Sequence, residues 1–377
     1  MIYLDHAATT RPESAVVDAM IPFLSESYMN PSSFYQPAVR TRMEVEKARR
    51  SVAKFINAPY DSIIFTSGGT ESDNWAIRIG AGLYESSGGH IITTKIEHPA
   101  VFNTVRFMEE KGYEITYLDV DKTGRISLED LKSAIRKDTV LISVMHANNE
   151  LGTIQPIKEI GQIAHDKGIL FHTDAVQTFG HLKIDVDEYN IDLLSASAHK
   201  IYGPKGIGLL YIRNRKKFAK LMFGGNQELG LRPGTENVAS IIGFSKAIQI
   251  AKDRMEEDYI RENQLRDKLK DLIQKEIHGA VINENDSFHL PGTLNVTFPK
   301  ISAETILIRL DLNGICASAG SACSAGAIEP SHVLTAIGKS EAQAKSTIRF
   351  SLGRENTEQD IEKTVLVLAD LFSKGKE

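Results

Sequence analysis

Cysteine is scarce in this sequence. Its 377 residues include two, Cys316 and Cys323. Two are too few for a disulfide framework, and an interval of six residues between them is not a zinc spacing. There is no excess of positive charge either: 44 Lys and Arg stand against 49 Asp and Glu, a net charge of −5. That balance argues against a nucleic-acid surface as the main business, and no direct nucleic-acid contact is expected. Apolar runs of the ~20 residues needed to cross a bilayer are missing. The first residues, Met1-Ile2-Tyr3-Leu4-Asp5-His6, lack the basic and apolar regions of a secretion signal. The expectation is a cytoplasmic protein with no membrane partner, whose thiols stay reduced. Internal repeats and low-complexity segments are also lacking.

What is present suits two domains, because 377 residues are many for one compact core. From about residue 50 to 250, short β-branched runs alternate with helical patterns. Strand candidates are 62–66, 91–94, 114–118, 139–145, 169–173, 193–197 and 207–212. Helical patterns occur at 40–56, from 71 onward, and near 100–111, 127–136, 157–167 and 238–258. Strands separated by helices imply an α/β fold with a mostly parallel sheet sandwiched by helices. Beyond 258 the texture changes. A charged helix at 261–277, strands at 294–298, 314–318 and 348–351, and helices at 303–313 and 357–373 read as a smaller α+β domain. The expected division is a large domain at 15–258, with 1–14 and 259–377 forming the small one. The Gly- and Ser-rich stretch at 317–327 is the candidate mobile loop.

Three features carry candidate chemistry. Ser67-Gly68-Gly69-Thr70-Glu71-Ser72 separates a strand from a helix, so free N–H groups of the helix start can face an anion. A Gly-Gly turn before a capped helix is also common structure, and the glycine and lysine spacings fit neither a Walker loop nor a dinucleotide fingerprint. Asp174 ends an apolar run, Gly168 to Asp174, and Lys200 ends another, Leu193 to Lys200. Both belong at the carboxyl edge of the sheet, where open α/β folds bind ligands. A lysine and an acid there could hold a pyridine aldehyde, the amine through a Schiff base and the acid by keeping the ring nitrogen protonated. The ordinary alternative for a lysine after a strand is a solvated terminus. A metal set of His172, Asp174 and His199 is a third reading, weakened by the lack of a fourth ligand.

Taken together, the motifs resemble the pyridoxal-phosphate-dependent cysteine desulfurases of the NifS/IscS type, class V enzymes within the fold-type I aminotransferase-like family. The resemblance runs nearly end to end. It rests on Tyr3 to Thr10, Asn30-Pro31-Ser32-Ser33, Thr66 to Asn74, Glu97-His98, Asn148 to Gly152, His172 to Gln177, Ser197-Ala198-His199-Lys200, Arg232 to Thr235, Ser321-Ala322-Cys323 and Arg349 to Arg354. Departures are small: Gly69, Pro233 and Ser324 stand where many relatives have Ala, Ser and Thr.

The resemblance implies a set of roles. Lys200 would hold pyridoxal 5'-phosphate covalently, Asp174 would pair with the pyridine nitrogen, and Gln177 would bond the phenolic oxygen. Gly69, Thr70, Ser197 and His199 would hold the phosphate, and Thr235 would reach the phosphate of a neighbouring subunit in a homodimer. His98 would stack on the ring and move protons. Asn149, beside the cofactor, and Arg349 would bind the substrate carboxylate.

Of the two cysteines, Cys316 lies in a strand-like run and suits the default of a small buried hydrophobe. Cys323 lies among small residues in a loop of about 317–331, which suits a reactive thiol. In this enzyme type its thiolate attacks the sulfur of cofactor-bound L-cysteine, giving L-alanine and a Cys323 persulfide. The persulfide would pass to an Fe–S scaffold or to a tRNA- or cofactor-thiolation partner. No intrinsic metal site is implied; transient ligation of an Fe–S cluster by Cys323 is left open. Rival readings are another fold-type I enzyme, such as an aminotransferase or selenocysteine lyase, a scaffold that has lost its chemistry, and the metal-site hydrolase.

Overall fold

The computed structural model describes residues 1–82, 88–215, 218–284, 287–319 and 330–373. The chain opens with a two-residue strand, β1 (Ile2–Tyr3). Seven strands then build one sheet: β2 (Ile63–Thr66), β3 (His90–Thr94), β4 (Glu114–Leu118), β5 (Thr139–Ser143), β6 (Leu170–Asp174), β7 (Leu193–Ser197) and β8 (Gly208–Ile212). Their order is β2-β8-β7-β6-β5-β3-β4. All neighbours are parallel except β8, which runs antiparallel to β2 and β7. The α/β expectation with a mostly parallel sheet therefore holds.

Apolar pairs within the strands explain why both faces are covered. Ile92, Ile142, Leu194 and Leu209 enter one core with helices Gln36–Phe55, Ile157–Lys167 and the start of Val238–Glu276. Their neighbours Ile91, Leu141, Leu193 and Leu210 enter a second core with helices Gly69–Gly80 and Pro99–Glu110. Side chains alternate across a strand, so a sheet buried on both sides needs apolar residues at consecutive positions. Helix Ile157–Lys167 stops at Gly168, whose left-handed φ of 68° favours glycine.

Five further strands complete the chain: β9 (Val281–Ile282), β10 (Thr293–Thr297), β11 (Ile315–Cys316), β12 (Ser318–Ala319) and β13 (Thr347–Ser351). A four-stranded sheet has the order β12-β13-β10-β9, and β1 pairs in parallel with β11. The expected single strand at 314–318 is thus two short ones in different sheets. A third apolar cluster lies here, with Leu265, Leu269 and Ile273 of the long helix packed on Leu294, Val296, Ile348 and Phe350.

The two helices expected at 238–258 and 261–277 are one, the 39-residue Val238–Glu276. Its first half packs on the large sheet and its second half on the small one. No proline interrupts it, and its exposed charged middle does not break its hydrogen bonding. Among the described residues, no helix is long and apolar enough to cross a membrane.

Candidate active site

The carboxyl ends of β2, β6 and β7 meet at one edge of the large sheet. Beyond β2 the chain turns through Gly68 into helix Gly69–Gly80. A Cβ at Gly69 would sit 2.6 Å from Val176 Cγ2, so a residue larger than glycine here would require the Val176 side chain to shift. Asp174 is the last residue of β6. The chain leaving β7 makes a single 3-10 turn, Ala198–Lys200, which brings the lysine back over the edge.

One cavity of about 260 Å³ lies here. Gly69, Thr70, His98, Asn149, Asp174, Gln177, Ser197, His199, Lys200 and Arg349 all line it. Each of them was singled out by the sequence. Thr235 lies elsewhere, exposed in the segment after β8. Cys323 and most of its loop fall outside the described residues.

Lys200 Nζ donates to the carbonyl oxygens of Ala7 and Ala8 at 2.5 and 2.8 Å. Gln177 Nε2 donates to the same Ala7 oxygen at 3.1 Å. Asp174 is buried, and its carboxylate accepts the Val176 N–H at 2.9 Å. Burial pushes its pKa up, while His98 and Lys200 oppose that shift. His98 caps helix Pro99–Glu110 through Nδ1, which accepts the Ala100 N–H at 3.1 Å; burial pushes its imidazole down. His199 Nδ1 meets Thr9 Oγ1 at 3.1 Å, and burial with the nearby Lys200 charge lowers it to about 4. Arg349, on β13, donates to the Asn149 carbonyl and to Asp5, both at 2.8 Å, and its Nε has no partner among the described residues.

The metal set of His172, Asp174 and His199 is not assembled. His172 bonds Ser143 through Nδ1 at 2.8 Å and Ser195 through Nε2 at 3.1 Å, while His199 is engaged by Thr9. The structure instead places Asp73 beside Asp174 and His98, with one donor atom of each within 4.8 Å of the others. Asp73 was not singled out by the sequence. The signal was its place three residues after Thr70, on the same helix face.

The site fits pyridoxal phosphate on its own chemistry. A buried carboxyl facing a cavity is relieved by a cationic ring N–H, the N-terminus of a 12-residue helix attracts a phosphate, and a primary amine stands between them. The model of the aminotransferase class-V family matches residues 2–364. The chain belongs to that family. Within it, the sequence is 48% identical to the cysteine desulfurase IscS of Clostridium botulinum strain Hall, over 100% of this chain and 95% of the relative. It is 50% identical to the cysteine desulfurase IscS of Dictyoglomus turgidum, over 99% and 95%. A solved NifS-like protein superposes with a TM-score of 0.93 at 38% identity, covering 99% of both chains. SspA in complex with cysteine superposes with a TM-score of 0.83 at 40% identity, covering 95% of this chain and 100% of that one. Pyridoxal phosphate is the cofactor of this family, and the fold is its fold-type I architecture.

Proposed function

We propose that the protein is a pyridoxal-phosphate-dependent cysteine desulfurase that converts L-cysteine to L-alanine and leaves a persulfide on Cys323. The observation that carries this reading is the convergence of Lys200, Asp174 and a helix N-terminus on one cavity. When bound, the cofactor supplies an electron sink beside the substrate α-carbon.

The chain's own residues do the rest. Lys200 Nζ anchors the aldehyde, then takes and returns protons. Asp174 would hold the pyridine N–H, and Gln177 would donate toward the phenolic oxygen. Gly69, Thr70, Ser197 and His199 hold the phosphate, His199 as a neutral imidazole. His98 covers the ring face, also neutral near pH 7. Arg349 orients the substrate carboxylate together with Asn149. Cys323 supplies the thiolate: an S–S bond forms to the cysteine sulfur, the substrate C–S bond breaks, and a proton is delivered to the carbon left behind.

Thr235 is assigned to the phosphate of a second subunit. Its exposure away from the cavity supports a homodimer, as do the large apolar side chains left at the surface, including Phe34 at 94% and Phe223 at 87% exposure. The persulfide acceptor is an Fe–S scaffold or a thiolation enzyme, met in the cytoplasm. The helix that packs on both sheets would join a large cofactor-binding domain to a smaller one.

Borohydride treatment of purified yellow protein should fix the cofactor to the peptide that contains Lys200. Lys200→Ala should make no alanine from L-cysteine, and a wild-type rate in that variant would overturn the reading.

A further inference from the structure

Lys200 lines two cavities. Together with Ala7 and Gln177 it borders the site above and also a smaller cavity of about 40 Å³. The smaller cavity is also walled by His6, His181 and Glu262. Among the described residues neither ring nitrogen of His6 makes a well-aligned hydrogen bond, the Tyr3 backbone being close enough only for a weak one, and the residue is 8% exposed. Glu262 comes from helix Val238–Glu276, is 4% exposed, and takes no hydrogen bond from another described residue. Glycines keep room around these polar atoms. A Cβ at Gly353 would lie 2.4 Å from His6 Nδ1, and one at Gly292 would lie 3.1 Å from Glu262 Oε2.

A dry cavity would leave an imidazole and a carboxyl unsatisfied, which costs more than immobilising a water molecule. The volume admits about three or four waters, since each needs roughly 10–15 Å³. We propose that this cavity is a water site, and that its water, held by His6 and Glu262, is a proton store for the Lys200 amine. The inference rests on the reading of Lys200 as the group that moves protons, and goes beyond it.

The charges around the store set its direction. Asp258 and Arg261 on the same helix, with Arg354 and Tyr202, face Glu262. Burial and Asp258 push its carboxyl up to about 8, so it keeps its proton at neutral pH. His181 and Arg261 act on His6, which burial pushes down to about 4, so it is a neutral hydrogen-bonding group. Lys200 is also within the influence of Asp174, His98 and His199. After Lys200 Nζ has given up a proton, Glu262 O–H supplies one through the water, and solvent restores Glu262.

The test uses the holoenzyme in two measurements. A high-resolution crystal structure should show ordered water within hydrogen-bond reach of both His6 and Glu262. A pH titration of the absorbance of the lysine-bound cofactor should then separate wild type from Glu262→Gln. Above pH 8 the Glu262 carboxylate favours retention of a proton on the lysine nitrogen, so Glu262→Gln should lower the midpoint by about half a pH unit or more. A dry cavity or an unmoved midpoint overturns the proposal. If Glu262→Gln does not fold, the wild-type structure still decides. A colourless protein that takes up no pyridoxal phosphate would instead remove the functional reading itself.

Discussion

His172 Nε2 lies 3.6 Å from Asp73 Oδ1; both side chains are buried, and Asp73 lines the cofactor cavity. The imidazole cannot serve as a counter-ion, because burial lowers it to about 3. Asp73 is pushed well above the ordinary carboxylate range by burial and by Asp174. Of the two neighbouring carboxyls, Asp174 has the Lys200 charge and the Val176 N–H in its favour, while burial and Asp174 both push Asp73 up, so Asp73 is the one that stays protonated. Its Oδ1 is buried without a hydrogen-bond partner among the described residues, with Ser195 close by.

Asp73→Asn keeps that shape and neutrality, and pyridoxal-phosphate affinity should stay within about threefold of wild type. Asp73→Leu removes the polar carboxyl beside Asp174 and should weaken affinity roughly tenfold, read by absorbance titration. Equal weakening in both variants would mean that Asp73 is ionised.

Cys316 sits half-buried in β11, paired with Tyr3 of β1. Cys316→Ser should keep alanine formation within about twofold. Cys323→Ser should lose at least ~100-fold, while the cofactor spectrum stays unchanged. Equal losses would refute the choice of nucleophile and favour a structural role for both thiols.

Arg349 is held from two sides, by Asn149 and Asp5, with its planar head at the cavity. A lysine cannot reproduce that fork. Arg349→Lys should raise KM for L-cysteine by ~10-fold or more, with a smaller effect on kcat. Steady-state kinetics with an unchanged KM would place substrate binding elsewhere.

Stability should fall on both sides of a mid-range pH. Burial lowers His146 and His172 to about 3 and His199 to about 4. Below about pH 6.5 the unfolded chain binds protons that these folded histidines refuse, so acidification destabilises the fold. Glu97 is the reverse case. Burial raises it to about 8, so from about pH 4.5 to 8 the folded chain keeps a proton that the unfolded chain has lost. Stability therefore declines as pH rises through that window. Between pH 6.5 and 8 the Glu97 contribution is ~2 kcal/mol. Urea midpoints should show this decline, and Glu97→Gln should make it shallower, Glu262 with its similar shift supplying the rest.

The site was legible where function needs a polar residue at the end of an apolar run. Asp174 and Lys200 are such residues, and the Gly-Gly turn marks the third corner. Asp73 was not legible, because a polar residue in the first turns of a helix has the same appearance whether it faces solvent or a second carboxyl. The long helix was misread as two because its apolar spacing changes partners near residue 258. Composition shifts there, yet the backbone has no reason to stop. The segment around Cys316 was read as one strand because local sequence does not reveal that adjacent residues pair with different partners.

The first ten residues join distant parts of the chain. Ile2 and Leu4 enter the core of the small sheet, Asp5 grips Arg349, and the backbone of Ala7 and Ala8 holds Lys200. Asp5 and His6 also bridge to Ser351. During synthesis, this segment must therefore wait for residues near 350 before it finds its place. Until then the lysine lacks its seat, so catalytic competence depends on strands more than 300 residues apart having met.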